Sequence, residues 1–286
     1  MRHRPPRVLS PLTVLIDSWR IEPLVWLHRA EARAIVAELR TAGRAVSVEI
    51  FDRNRLPEAA AILLRLSDPV MLDAARALET AEIAYRGPGA AALERCYDKW
   101  RAYRTVAAAG VDIPDTRMAA AADALRHPIV LKPRRGSDSI GLRVLRTGSV
   151  RATLKNETML VQPQILGTEV TVAVIDGVAG DPLRLELPEG VPYTFLRKYL
   201  CRTRRAPVAD RELAARVRQA ALAAARSLGV DWGARVDFIH ERRSERLLFL
   251  ECDAAPLVGP ASAFAASLAA GGMPRTEQLA RLLAET

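Results

Sequence analysis

Two apolar segments of strand length, Ala234-Arg-Val-Asp-Phe-Ile-His240 and Leu247-Leu-Phe-Leu-Glu-Cys-Asp253, are separated by six polar residues. This pattern predicts a β-hairpin, and it constrains the chain more than any other stretch does. Side chains alternate along a strand, so Arg235, Asp237 and Ile239 share one face, and Phe249, Glu251 and Asp253 share one face. A turn centred near Ser244 sets Asp237 opposite Glu251 and Arg235 opposite Asp253. Three carboxylates and one arginine then crowd a single patch of sheet. Like charges that close are costly unless a cation neutralises them. Oxygen ligands suit a hard ion such as Mg²⁺, with Mn²⁺ as the alternative, and such an ion shares phosphate oxygens with a nucleotide. The competing reading of this segment alone is a surface hairpin with scattered charges.

Upstream, Pro128-Ile-Val-Leu-Lys-Pro-Arg-Arg-Gly136-Ser-Asp-Ser-Ile-Gly141-Leu-Arg-Val-Leu145 reads as strand, glycine-bearing loop, strand. Gly136 and Gly141 allow close backbone approach to a ligand, and Ser137 and Ser139 can donate to phosphate oxygens. Lys132 ends an apolar strand, an unusual place for a lysine. The loop is not of the Walker A type, because no Gly-Lys-Ser/Thr follows. An ordinary hairpin turn is the alternative.

These segments fall in an order that resembles the ATP-grasp ligases. Asp98-Lys99 precedes Gly110-Val-Asp-Ile-Pro114. Then come Pro128–Pro133, Leu160-Val-Gln-Pro-Gln-Ile-Leu-Gly-Thr-Glu169-Val-Thr-Val-Ala-Val174, Arg235-Val-Asp237 and Glu251-Cys-Asp-Ala-Ala-Pro256. Residues 85–286 carry the resemblance. Within that superfamily the chain is most similar to D-alanine–D-alanine ligases, through Tyr85-Arg-Gly87, Lys198-Tyr199-Leu200 and Ser262. The resemblance implies an α/β ATP-grasp fold. It implies ATP and Mg²⁺ as cofactors and amide formation between a carboxylate and an amine through an acylphosphate. By the same resemblance Lys99, Lys132 and Ser137 would bind ATP phosphates, and Ser139 would lie in the loop folding over them. Gln162, Pro163, Gln164 and Ile165 would form the hinge that reads adenine, and Glu169 would take the ribose. Lys198 and Tyr199 would sit on a mobile loop closing the site. Asp237, Glu251 and Asp253 would hold the metal, Arg235 would stabilise the tetrahedral intermediate, and Ser262 would meet the acceptor's carboxylate. Such chemistry needs positioned cations rather than a protein nucleophile, so the lack of a Ser-His-Asp or Cys-His arrangement is no objection.

The departures from the family pattern concern the substrate. Asp253 stands where asparagine is usual. Leu257 stands where a glycine amide helps form the oxyanion hole, and Gln162-Pro163 replaces a common Glu-Lys pair. The Gly-Gly-x-Ser-x-Glu motif that holds the first substrate's ammonium is absent. Asp17-Ser-Trp-Arg-Ile-Glu22 stands near its place, making Arg20 and Glu22 the candidates for donor contacts. Ala61-Ile-Leu-Leu-Arg-Leu-Ser67 and Ile113-Pro-Asp-Thr116 resemble RimK-type glutamate ligases instead. A ligase for another amino acid, a peptide or a specialised metabolite is therefore an alternative, as is a nucleotide-binding module without turnover.

The net charge of +9 raises a third class, a nucleic-acid binder. The basic residues are interspersed with acidic ones, and only 5% of residues are aromatic, which leaves little for base stacking. Arg134 and Arg135 on the glycine loop, and Arg202, Arg204 and Arg205 near the mobile loop, read instead as phosphate-recruiting groups. No apolar run approaches the roughly 20 residues of a membrane span, and no signal segment is evident. Three cysteines without metal spacing suggest structural thiols in a reducing cytoplasm. The expected organisation is an N-terminal βαβ-type lobe over 1–88, a small lobe with the glycine loop over 89–165, and a large lobe over 166–286. Small amino acids or peptides are the expected partners, without membrane or nucleic acid, and a homodimer is compatible with the reading.

Overall fold

In a computed structural model the chain is described at residues 11–18, 23–119, 128–136, 139–146, 158–187 and 203–284. It opens with β1 (Leu12–Ile16), α1 (Pro23–Thr41), β2 (Val46–Ile50), β3 (Ala61–Leu64) and α2 (Val70–Thr80). β1 is buried throughout and lies between β2 and β3, parallel to both. A central parallel strand covered on both faces needs such a near-continuous apolar run. α1 buries Ala32, Ile35, Val36 and Leu39 along one stripe and stops before Gly43, whose φ of +81° suits a left-handed helix end.

α3 (Ala90–Tyr97) and α4 (Lys99–Ala108) follow, with Asp98 between them. Asp98 caps α4 by accepting from the Arg101 amide at 3.2 Å. β4 (Arg117–Met118), β5 (Ile129–Pro133), β6 (Arg143–Leu145) and β7 (Met159–Pro163) build an antiparallel sheet in the order β4-β7-β5-β6. Its own small core is Ala119, Ile129, Leu131 and Val161.

The largest sheet contains β8 (Gly167–Ile175), β9 (Val178–Ala179), β10 (Leu183–Leu185), β11 (Arg205–Pro207), β12 (Gly233–Glu241) and β13 (Leu247–Asp253). The order is β11-β10-β8-β12-β13, with β9 folded onto β8. Around it lie α5 (Arg211–Leu228), α6 (Ala263–Ala270) and α7 (Arg275–Leu282). α5 starts at Asp210, whose carboxylate accepts from the Glu212 and Leu213 amides, and ends at left-handed Gly229. No helix among the described residues is long and apolar enough to cross a membrane.

Strand alternation gives the sheet two different faces. Val170, Val172 and Val174 join Val236, Phe238 and Phe249 against α4 and α5. On the other face Ala173, Ile175 and the buried Trp232 pack against α1, β1 and α6. β1 and α1 therefore lie on the same side of the sheet as Arg235 and Asp237.

The β12–β13 register pairs Arg235 with Asp253 and Asp237 with Glu251, as the hairpin reading expects. One detail differs. A bulge follows Asp237, so Phe238 pairs with Phe249 and Leu250 has no partner on β12. An extra residue breaks strand parity, so Phe249 does not share a face with Glu251 and Asp253. Phe249 is fully buried instead, edge-on to Tyr103 at 5.9 Å and to Phe238 at 6.0 Å between ring centroids. Truncating this ring would open a cavity behind the acidic patch. Phe249→Ala should cost about 3–5 kcal/mol of stability in urea unfolding, the scale for a buried phenylalanine. A loss below about 1 kcal/mol would contradict this packing.

Candidate active site

Arg235 lies at the centre of the acidic patch. Its Nε donates to Asp237 Oδ1 at 3.1 Å and its Nη2 to Oδ2 at 3.1 Å. Nη2 also lies 3.6 Å from Glu251 Oε1, and Nη1 lies 3.3 Å from Asp253 Oδ2. Burial works against the guanidinium charge, but Asp237, Asp253 and Glu251 outweigh it and lift its pKa well above the ordinary range. Arg235 is thus a permanent cation in the site.

The three carboxylates are not equivalent. Asp237 accepts from Arg235 through both oxygens and from Thr171 Oγ1 at 2.6 Å. Its geometry orients Arg235, a different emphasis from the metal-holding role expected of it. The Glu251 and Asp253 side chains are 25% and 31% exposed and line an open cleft of about 500 Å³ with Lys99, Gly136 and Arg235. Three carboxylates against one guanidinium leave excess negative charge on the cleft wall, which favours a further cation there. Among the described residues no three acidic, histidine or cysteine side chains converge to hold a metal by themselves. Glu251 and Asp253 nonetheless fit Mg²⁺, which binds through one or two carboxylates and completes its shell with water and phosphate oxygens.

The buried Lys132 of β5 donates through Nζ to the Tyr103 hydroxyl, which donates to Leu250 O at 2.7 Å. That carbonyl belongs to the bulged residue, so the irregularity in β13 anchors the lysine's partner. Burial lowers the Lys132 pKa to about 8, although Glu251 and Glu169 oppose the shift. Tyr103 escaped the sequence reading because an aromatic on an amphipathic helix ordinarily reads as core. Lys99 begins α4, and its Nζ donates to Gly136 O on the glycine loop. Arg134 grips Asp98 with Nε–Oδ1 and Nη2–Oδ2 distances of 2.8 and 2.6 Å. It ties the loop to α4, contrary to its expected recruitment of phosphate. Ser139 has φ of +59° in the turn that follows, and a Cβ on Gly141 would come within 2.8 Å of the Pro133 ring.

Gln162, Pro163, Gln164 and Ile165 run from the end of β7 towards β8. Gln162 is buried and donates to Thr116 Oγ1 at 2.7 Å, and the Gln164 amide donates to Pro128 O at 2.9 Å. Glu169 is half-buried near the start of β8. Ser262 caps α6, its Oγ accepting from the Ala265 amide at 3.0 Å while its proton remains available to donate. Cys252 is buried, and a hydrogen bond with Cys96, then burial, pushes its thiol pKa well up, consistent with a structural thiol. Ser137, Lys198, Tyr199, Arg20 and Glu22 lie outside the described residues.

One pair went unnoticed in the sequence. Arg65, fully buried at the end of β3, donates to Glu31 Oε2 from Nε at 3.0 Å and from Nη2 at 2.6 Å. Nη2 also donates to Pro256 O at 2.9 Å. Glu31 Oε1 accepts from the Val258 and Gly259 amides. The signal was present: Glu31 precedes Ile35 by one helical turn, on the apolar stripe of α1.

Residues 96–247 match the family model of an ATP-grasp domain. The D-alanine–D-alanine ligase of Nitrosospira multiformis is 30% identical over 223 residues, 72% of each chain. That of Nitrosomonas europaea is 29% identical over the same shares. The fold superposes on a Bacillus anthracis D-alanine–D-alanine ligase with TM-score 0.78 and 18% identity, covering 96% of each chain. It matches the VanG D-Ala:D-Ser ligase of Enterococcus faecalis with TM-score 0.78 and 19% identity, covering 96% of this chain and 98% of that one.

A polyphosphate favours the charged form of Lys132, which is populated below pH 8. As pH rises through that value, binding must take up a proton, so affinity falls towards tenfold per pH unit. Calorimetry of ATP binding between about pH 7 and 9.5 should show this loss. Lys132→Met should abolish the slope; an unchanged slope assigns the titration to another group.

Proposed function

We propose, for a chain that belongs to the D-alanine–D-alanine ligase family of ATP-grasp enzymes, that it joins two small amino acids with a donor pocket of its own. The chain is an ATP-dependent carbon–nitrogen ligase. The single observation that carries the site assignment is the constellation of Arg235, Glu251 and Asp253 on one wall of the cleft that Lys99 and Gly136 also line.

In this reading Lys99 and Lys132 bind the ATP phosphates and Glu169 the ribose, with the 162–165 segment beside adenine. Glu251 and Asp253 would hold Mg²⁺, which when bound neutralises phosphate charge. Asp237 holds Arg235 in place, and Arg235 with the Leu257 amide faces the oxyanion that forms when the amine attacks the acylphosphate. One well-placed donor there is worth about 3–4 kcal/mol. Ser262 offers its hydroxyl proton to the acceptor's carboxylate. Ser137 and Ser139 belong to the glycine loop, and Lys198 and Tyr199 to a closing segment. The reaction is a cytoplasmic one on small molecules.

The donor side diverges. Residues 17–22 lack the glutamate motif that receives a donor ammonium in this family, and Arg20 and Glu22 stand there instead. A site built to pair a polar group discriminates sharply when that group changes. D-alanine alone should therefore support only slow phosphate release, and a second carboxylate in an amino-acid panel should raise it. Rapid saturable release with D-alanine as sole amino acid would instead make this a D-alanine–D-alanine ligase with a diverged N-terminus. The likeness to the VanG D-Ala:D-Ser ligase, a protein named for two unlike amino acids, supports this reading.

Charge removal tests the metal assignment. Glu251→Gln should cut turnover by about a hundredfold or more with the fold intact by circular dichroism. Asp253→Asn, which keeps an oxygen ligand, should retain activity within about tenfold. Near-normal turnover in Glu251→Gln would remove Glu251 from the metal site.

A further inference from the structure

We propose that Glu31 and Arg65 are positioning residues that orient the Leu257 amide for the amide-forming step. The proposal rests on the ligase reading above and adds to it a device in the N-terminal lobe.

A peptide unit is planar, and in its trans form the C=O and the following N–H point in opposite directions. The Pro256 carbonyl and the Leu257 N–H belong to one such unit. Arg65 Nη2 holds that carbonyl at 2.9 Å, so it fixes the plane and turns the Leu257 N–H away from itself. Glu31 Oε1 takes the next two amides, those of Val258 and Gly259. The segment is thus held on both sides of Leu257 by two side chains that also bind each other. Leu257 N–H itself meets no acceptor among the described residues. In the proposal this amide is the donor offered to the oxyanion.

The arrangement also accounts for leucine at a glycine position. Leu257 is absent from the positive-φ residues, so the backbone there needs no glycine. The external clamp supplies the orientation that a freer residue would have to find. Arg65 is fully buried, and the Glu31 side chain is 7% exposed, so neither side chain is free to wander. Four residues upstream of Leu257, Asp253 closes on Arg235 at 3.3 Å. The clamped segment thus follows directly on the strand end that holds Arg235.

The test separates positioning from mere stability. Glu31→Leu combined with Arg65→Met removes both charges and keeps apolar volume, a replacement that buried ion pairs usually survive. D-alanine serves as acceptor and reference donor, beside the best donor of the panel. ATP affinity by calorimetry should stay within about twofold of wild type. Isotope scrambling in bridge-labelled ATP, which reads acylphosphate formation alone, should stay within about threefold. Amide-forming turnover should fall about a hundredfold, the effect of one lost oxyanion donor. Deuterium uptake over residues 254–260 should rise.

Turnover within about threefold of wild type would overturn the proposal. So would a parallel fall in scrambling and turnover, or unchanged deuterium uptake. If the double variant does not fold, Glu31→Gln decides. It keeps the Oε1 acceptor but weakens the hold on Arg65, so turnover should fall about tenfold with scrambling retained; wild-type turnover there would equally overturn it. Absence of wild-type turnover on every amino acid would sink the ligase reading, while the deuterium measurement still tests the clamp.

Discussion

Three carboxylates converge on one guanidinium, and the rest of the site is arranged around that imbalance. Arg235 cannot lose its proton, so the patch keeps a fixed cation whatever the pH. The carboxylates divide the remaining work. Asp237 spends both oxygens on Arg235 and Thr171, leaving Glu251 and Asp253 to face the cleft. Their surplus charge makes the wall attractive to a hard cation and, through it, to phosphate. Lys132 and Lys99 approach from the small sheet and α4, so the anionic and cationic halves come from separate elements.

That division explains why the two faces of the large sheet differ so much. One face is closed by α4 and α5 with an aliphatic and aromatic core. The other must bury the N-terminal lobe at one end and leave charged groups in a cleft at the other. The Glu31–Arg65 pair lies between these regimes. Replacing it with a purely apolar contact would satisfy packing but would leave the Pro256–Gly259 backbone groups without partners.

Much of this was legible from the chain alone, for local reasons. The apolar segments 234–240 and 247–253 gave β12 and β13, and the 128–145 strand–loop–strand pattern gave β5 and β6. The hairpin register followed from its turn, placing Arg235 against Asp253 and Asp237 against Glu251. What was not legible depends on contacts far apart in sequence. Arg134 looked like a phosphate ligand because nothing nearby announces that Asp98, 36 residues earlier, will take it. Tyr103 drew no notice because its hydroxyl meets Lys132 only after the small sheet folds over α4. The Phe249 face was misassigned because a bulge leaves no mark in an alternating pattern.

The unpartnered Leu250 carries a consequence of its own. Deleting it would restore a regular ladder, with Phe238 still across from Phe249 and Asp237 still across from Glu251. Every side chain would keep its face, and the shortened hairpin would look better formed. The Tyr103 hydroxyl, however, would lose the carbonyl it donates to, and the buried lysine beyond it would lose a fixed neighbour. Tolerance to insertion and deletion is therefore uneven along this hairpin. The exposed turn at 242–246 can change length as surface loops do. One interior residue, contributing no side chain to the cleft, cannot be dropped without detuning an ammonium on another sheet.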